Sequence, residues 1–343
     1  MKKIIASVFA LCLLSFTFTG CIASNQTPKP SESSTGSGIT NVRVAYFPNI
    51  THAQALVMKA NHILESTLGD NYHVSWSSFN AGSSEIEAFF AGAIDIGYIG
   101  PVPAVNGNIR SHGDLTVIAN AAEGGAILVK KANSAITSIN DLGGKTVAIP
   151  QIGNTQHLCL LNLLSEAGLS PLSEGGTVKV VAADNANILT LFDQSHIDAA
   201  LVPEPWGTIL CNTGQIDILL DYDEIYMDGN YPVSLVVVRN EFMNQYPDVV
   251  EKFLQAHIDA TNRINHNLRD SVVDIITEIA NVTSNKLDMD VVFHSFSKTN
   301  VTSELNKEAL LAFAQIAYHR KMITQLPDNS FINTSILDKL TNK

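Results

Sequence analysis

The chain has 343 residues, 45% of them hydrophobic and 16% charged, with a formal net charge of −12. That length and composition give a globular protein with enough core for two domains. The acidic balance excludes a basic nucleic-acid footprint, and four cysteines without a CxxC pair exclude a cysteine-built metal site.

The amino terminus reads Lys2-Lys3, an apolar stretch Ile4–Phe18, then Phe18-Thr19-Gly20-Cys21. A positive start, an apolar stretch too short to span a bilayer and a lipobox-like end predict a signal peptide over 1–20. Cys21 is then the lipidated first residue of the mature chain, anchoring it to the bilayer. A plain cleaved signal with an incidental Cys21 is the alternative, since Phe18 stands where Leu is usual. Residues 21–39 are rich in Ser, Thr, Gly and Pro and read as a flexible tether. Cys159 and Cys211 remain, either as a disulfide or as two buried thiols.

From there, period and punctuation predict alternating strands and helices. Asn41–Phe47 reads as a strand, Thr51–Leu68 as one helix, Tyr72–Phe79 as a strand and Ser83–Ala91 as a helix. Asp95–Ile99 (strand), Val102–Ser111 (helix) and Leu115–Ala122 (strand) complete a first set. The second set has strands at Thr146–Ile149, Val178–Ala182, Ala199–Val202 and Ile216–Leu220, with helices at Thr155–Ala167, Ala186–Phe192 and Trp206–Asn212. A long extended run, Tyr231–Arg239, precedes helices at Glu241–Gln245, Pro247–Asn267, Ser271–Ala280 and Glu308–Met322.

The two sets echo each other. SSEIEAFFAGAIDIGYIGPVP at Ser83–Pro103 aligns with ANILTLFDQSHIDAALVPEPW at Ala186–Trp206 at an offset of 103, placing Asp95 on Asp198. VAYFPNI at Val44–Ile50 aligns with TVAIPQI at Thr146–Ile152 at an offset of 102. Two similar α/β halves imply two lobes and a groove between them. Residues 40–122 with 225–343 form lobe 1 and residues 123–224 lobe 2, with crossings near Glu123–Ala126 and Asp221–Pro232.

In parallel α/β lobes, ligands gather beyond the carboxyl ends of the strands, where helices begin. Unpaired N–H groups and a partial positive charge there suit an anion without Lys or Arg. The small polar residues at those points are Asn49, Thr51, His52, Ser83, Ser84 and Gly100 in the first half. In the second they are Asn154, Thr155, Gln156, Asn185 and Glu204, with Trp206 beside them. Each has a plainer explanation: Ser84 serves as an N-cap, Gly100 relieves a tight turn, His52 is a capped histidine, and Trp206 is lobe core rather than groove mouth. Their convergence on one groove is what favours a binding site. No GxSxG, HExxH, P-loop or strand-linked GxGxxG occurs, and the ten histidines lack metal-ligand spacing.

GAIDIGYIGPVPAV at Gly92–Val105, INDLGGKTVAIPQIGNTQ at Ile139–Gln156, HIDAALVPEPW at His196–Trp206 and VVVRNEFMNQYPDVVEKFLQAH at Val236–His257 carry a family resemblance. Over roughly residues 40–320 the chain resembles extracytoplasmic substrate-binding lipoproteins of ABC importers, in the branch serving aliphatic sulfonates, taurine and nitrate. The resemblance implies a type II periplasmic-binding-protein fold, each lobe a mostly parallel sheet flanked by helices. It implies a monomer that closes on a small solute and presents it to a permease and its ATPase, with no catalysis and no cofactor.

Asn49, Ser83, Ser84, Gly100, Thr155 and Gln156 would then hold the oxyanion, with Trp206 closing the apolar side. Glu204 either receives an ammonium or points away. Competing readings are a binder of nitrate, bicarbonate or a pyrimidine vitamin precursor, an enzyme on the same scaffold, and a sensor lipoprotein. The chain also departs from the family in its Thr-His-Ala-Gln start to the first helix and in lacking any Arg or Lys among the candidate residues.

Overall fold

Short strands such as Ile96–Ile99 and Ala199–Pro203 are apolar along their whole length because both faces of their sheets are covered, and every residue in them is buried. The computed structural model describes residues 40–283 and 286–342. The signal peptide, Cys21 and tether expected above lie outside the described residues.

In chain order, β1 (Thr40–Tyr46), α1 (Ala53–Ala60), α2 (Ile63–Leu68), β2 (Tyr72–Ser78), α3 (Gly82–Phe90), β3 (Ile96–Ile99), α4 (Pro101–Arg110) and β4 (Leu115–Gly124) come first. Next are β5 (Ala126–Lys131), β6 (Thr146–Ile149), α5 (Thr155–Glu166), β7 (Lys179–Ala182), α6 (Ile188–Asp193), β8 (Ala199–Pro203), α7 (Trp206–Cys211), β9 (Ile216–Leu220) and α8 (Tyr222–Ile225). The chain ends with β10 (Pro232–Arg239), α9 (Asn240–Gln245), α10 (Pro247–His266), α11 (Leu268–Thr283), α12 (Met289–Ser295), β11 (Thr299–Val301), α13 (Lys307–His319) and α14 (Ser335–Leu340).

Two mixed sheets result, ordered β11-β4-β10-β3-β1-β2 and β7-β6-β8-β5-β9. In the first, β1 runs parallel to β2 and β3 while β10 lies antiparallel between β3 and β4. The second repeats this, with β6 parallel to β7 and β8, and β5 antiparallel between β8 and β9. Each antiparallel strand is the one that has just arrived from the other sheet: β5 follows β4, and β10 follows β9. The first crossing falls at Gly124–Gly125, two residues beyond Ala122, because β4 runs on to Gly124.

The expected helix Thr51–Leu68 is interrupted. A single 3₁₀ turn (Ile50–His52) precedes α1, and His62 adopts a left-handed φ of 51° between α1 and α2. Asn61 ends α1 by donating its Nδ2 to the Val57 carbonyl at 3.0 Å, so polar Asn-His punctuates an otherwise apolar period. Cys159 and Cys211 are both free. α10 starts with Pro247 and buries Val249, Val250, Phe253, Leu254 and Ala256 at helical spacing against the first sheet. A second apolar core joins the sheets: Leu235 and Val237 of β10 share it with Leu128, Val147 and Leu201, bridged by α4, α5 and α13.

Candidate functional site

The carboxyl ends of β1, β2 and β3 face those of β6, β7 and β8 across a groove, and an inner cavity of about 80 Å³ lies between them. From the first half it is lined by Asn49, Thr51, His52 and Gly100; from the second by Asn154, Thr155, Gln156 and Asn185. An outer chamber of about 370 Å³ adjoins it, sharing Phe47, Asn49, Asn80, Pro150 and Asn185 and adding Trp206.

Local hydrogen bonding decides which groups are free to meet a ligand. Asn49 is the cap of the 3₁₀ turn: its Oδ1 accepts from Thr51 N at 3.0 Å and from Thr51 Oγ1 at 2.6 Å, which leaves the Asn49 amide nitrogen as its available donor. Asn154 caps α5 by accepting from His157 N at 2.8 Å, and its Nδ2 donates to Gln156 Oε1 at 2.9 Å. The Gln156 amide nitrogen is again the spare donor. At the start of α5, the N–H groups of Thr155 and Gln156 have no acceptor within the helix.

Thr155 is 3% exposed and its Oγ1 has no partner, and Asn185 Oδ1 is likewise buried and unpartnered. A side-chain amide can present nitrogen in place of oxygen by rotating, so both residues can serve an anion. Gly100 brings the halves together. A Cβ there would lie 3.0 Å from Thr155 Oγ1 across the groove, so glycine leaves room for that hydroxyl.

The electrostatics contain no formal positive charge. No Lys or Arg lines either chamber among the described residues. His52 is buried, stacks on Phe47 at 4.7 Å between ring centroids, and accepts from Phe47 N through Nδ1 at 3.1 Å. Burial pushes its pKa down to about 3, so the ring is neutral. His157 is pushed down to about 4 for the same reason. What remains is the partial charge of the α5 start and a ring of amides and a hydroxyl.

Four expected residues are not brought to the inner cavity. Ser84 is exposed and its Oγ donates to the Ala81 carbonyl at 2.8 Å, which makes it a local turn residue. Ser83 is also exposed; it receives a bond from Gln151 Nε2 at 2.5 Å, a tie across the groove rim. Glu204 is turned away and fully buried, accepting from Thr208 N at 3.0 Å, Thr208 Oγ1 at 2.9 Å and Ser295 Oγ at 3.1 Å. It supplies the anion for the α7 start from within the chain, and burial raises its pKa against those bonds. Trp206 lines the outer chamber only.

The α4 start also offers less than expected, because Pro101 and Pro103 carry no N–H. Asn80, Gln151 and Phe47 line the cavity although the sequence reading passed over them. Gln151 was within reach of it: the VAYFPNI/TVAIPQI echo pairs Gln151 with Asn49.

A family model described as the NMT1-like family matches residues 36–279. Over 222 residues the chain is 30% identical to the taurine-binding periplasmic protein of Escherichia coli (strain K12), covering 64% of this chain and 65% of that protein. The chain therefore spans just under two thirds of that relative's length. It is 22% identical over 270 residues to the putative aliphatic sulfonates-binding protein of Bacillus subtilis (strain 168), covering 77% and 78% of the two chains. Among solved structures, the alkanesulfonate-binding protein SsuA of Xanthomonas axonopodis pv. citri bound to MOPS superposes with a TM-score of 0.72 at 19% identity, covering 86% of this chain and 99% of that one. At that identity the likeness shows the fold, two helix-flanked mixed sheets of the periplasmic-binding-protein kind.

Proposed function

The chain belongs to the NMT1-like family, and from that premise we propose that it is the solute-binding component of an ABC importer. Its solute is a small oxyanion of the alkanesulfonate or taurine kind, held between two lobes made of residues 40–122 with 225–343 and residues 123–224. The protein works outside the cytoplasmic membrane, anchored through Cys21, and hands its cargo to a permease driven by an ATPase. It catalyses nothing.

One observation carries this reading above the others: a buried hydroxyl without a partner, Thr155 Oγ1, beside the open start of α5 in a cavity with no Lys or Arg among its described lining residues. A sulfonate spreads one charge over three oxygens and stays ionised near neutral pH. Many weak donors match it better than one ammonium does, and burial of the donors strengthens each bond. Asn49, Thr51, His52, Gly100, Asn154, Thr155, Gln156 and Asn185 form the headgroup site in this proposal.

Thermal unfolding and calorimetry against taurine, ethanesulfonate, nitrate and hydroxymethylpyrimidine test it. A ligand present at a hundred times its Kd adds about 2.7 kcal/mol of stability. Stabilisation by the two sulfonates alone is the expected result; stabilisation by the pyrimidine alone overturns the oxyanion reading.

A further inference from the structure

Resting on the reading of the chain as a two-lobed binder, we propose that its second crossing between the sheets is a spring that opposes closure. Met227 and Asp228 set the spring, which weakens solute affinity and so favours release of the cargo. The chain passes between the sheets twice, from β4 to β5 at Gly124 and Gly125 and from β9 to β10 over residues 221–231. Closing two lobes on a ligand turns φ and ψ in connections of this kind.

The two crossings differ in conformational cost. Gly124 and Gly125 have φ of 66° and 68°, which glycine adopts freely. In the second crossing Met227, Asp228 and Gly229 have φ of 46°, 52° and 79° in succession. Gly229 N donates to the Tyr226 carbonyl at 3.0 Å and Asn230 N to the Met227 carbonyl at 2.9 Å, so the three residues form a left-handed helical turn. L-residues visit that region singly, because Cβ crowds the following carbonyl oxygen, and a methionine there is unusual. Among the described residues, Met227 and Asp228 are the one adjacent pair of non-glycine residues with positive φ. Both are exposed, so burial of their side chains does not offset the cost.

The turn is clamped on both sides and lies directly behind the ligand site. Tyr226 and Tyr231 meet edge-on at 5.7 Å, and both pack on Phe313 of α13, at 5.0 and 5.6 Å between ring centroids. A Cβ on Gly124 would lie 3.1 Å from the Gly229 carbonyl oxygen, so the two crossings touch main chain to main chain. Gly124 and Val233 also line the inner cavity. The groove rim is tied in the same conformation, by the bond from Gln151 Nε2 to Ser83 Oγ at 2.5 Å. The left-handed turn thus belongs to the closed arrangement, and opening returns Met227 and Asp228 to negative φ.

Glycine at these positions removes the cost without touching the cavity. Met227→Gly is expected to tighten the taurine Kd about fivefold, and the double variant with Asp228→Gly about tenfold, aspartate being the better tolerated of the two in this region. Binding compares two folded states, so the added freedom of the unfolded chain does not enter the Kd. His62→Gly relieves a left-handed residue between α1 and α2, outside both crossings, and should leave the Kd within about twofold. Calorimetry on the full chain reads these affinities. Small-angle X-ray scattering without ligand reads the shape, and Met227→Gly should lower the radius of gyration of the free protein. A Kd and a radius both unchanged in Met227→Gly would mean that the turn keeps its shape on opening, which overturns the spring. Equal tightening by His62→Gly overturns it too. A free protein made more compact by Met227→Gly that binds no taurine removes the oxyanion reading and leaves the spring standing.

Discussion

Asp95 and Asp198 accept the same bond in the two halves of the molecule: Arg43 N donates to Asp95 Oδ2 at 3.0 Å, and Thr146 N to Asp198 Oδ2 at 2.8 Å. The return bonds match as well, from Asp95 N to the Arg43 carbonyl at 2.9 Å and from Asp198 N to the Thr146 carbonyl at 2.8 Å. Each aspartate thus locks the start of its buried strand, β3 or β8, to the neighbouring parallel strand.

The two sites differ in charge, which gives a first prediction. Asp95 is fully buried and also holds the Arg43 and Arg239 guanidinium groups, at 2.5 and 2.9 Å, whereas Asp198 has only its backbone partner. Asp95→Ala leaves two arginines facing a void and is expected to cost about 3 kcal/mol, the low end for breaking a buried pair because Arg43 is partly exposed. Asp198→Ala loses one net hydrogen bond, about 1 kcal/mol. Urea unfolding of both variants measures the difference, and equal losses would show that the arginines add nothing.

This pairing also marks how far the sequence could be read. The 103-residue echo located both strands, both aspartates and the helices around them, since buried parallel strands and their preceding turns leave strong local patterns. It failed where tertiary context decides. The 102-residue echo sets β1 one residue out of register with β6, because matching prolines outweigh a strand with no charge pattern. β5 is only a short apolar run after a Gly pair in the sequence, and its partners β8 and β9 are what make it a strand. α12 and β11 are too short to show a period. At the site, the sequence could place Ser83, Ser84 and Glu204 at helix starts but could not say which way each side chain turns. Ser84 bonds its own turn, and Glu204 bonds its own helix.

Glu85 supplies a second prediction. It is fully buried on α3, both carboxyl oxygens lack partners, and burial raises its pKa well above the usual carboxylate range. At the 103-residue offset the second half has Ile188, also fully buried. A raised pKa in the folded state means stability is intact below the unfolded pKa, about 4.3, and falls as pH rises toward the folded value. Glu85→Leu is therefore expected to stabilise the protein by about 1–3 kcal/mol at pH 7. The gain should grow with pH from about 4.5 upward. Melting curves across pH 4–8 check it; a gain that does not vary with pH would mean the carboxyl does not titrate in this range.

The crossing at Gly124–Gly125 gives a third. Both glycines have positive φ, 66° and 68°, and a Cβ on Gly125 would lie 2.3 Å from Thr299 Oγ1. Gly125→Ala is expected to cost about 2 kcal/mol or more, part from backbone strain and part from the collision. Thr299→Ala removes the colliding hydroxyl, which itself has no partner. The double variant should recover roughly 1 kcal/mol relative to additivity, and a double-mutant cycle with no coupling would exclude the collision.

Glu204 separates folding from binding. Its carboxylate serves Thr208 and Ser295, so Glu204→Gln, which keeps an acceptor at that place, is expected to leave the taurine Kd within about twofold. A tenfold loss for taurine with no change for ethanesulfonate would instead assign Glu204 to the ligand's ammonium, against the direction in which it points.

Thr155 tests the headgroup site most directly, because stability and affinity should move in opposite directions. Its hydroxyl is buried without a partner, an arrangement that costs folding free energy and is relieved when valine replaces threonine at nearly equal volume. Thr155→Val is expected to raise the stability of the free protein by about 0.5–1 kcal/mol. The cap of α5 belongs to Asn154, so the helix start is untouched. A hydrogen bond to a charged group is worth about 1.5–3 kcal/mol, so losing it should weaken sulfonate binding by roughly 10- to 150-fold. Denaturant unfolding without ligand and calorimetry with taurine read the two effects separately. A variant that melts earlier and binds as tightly as before would assign the hydroxyl to folding and move the anion elsewhere in the groove.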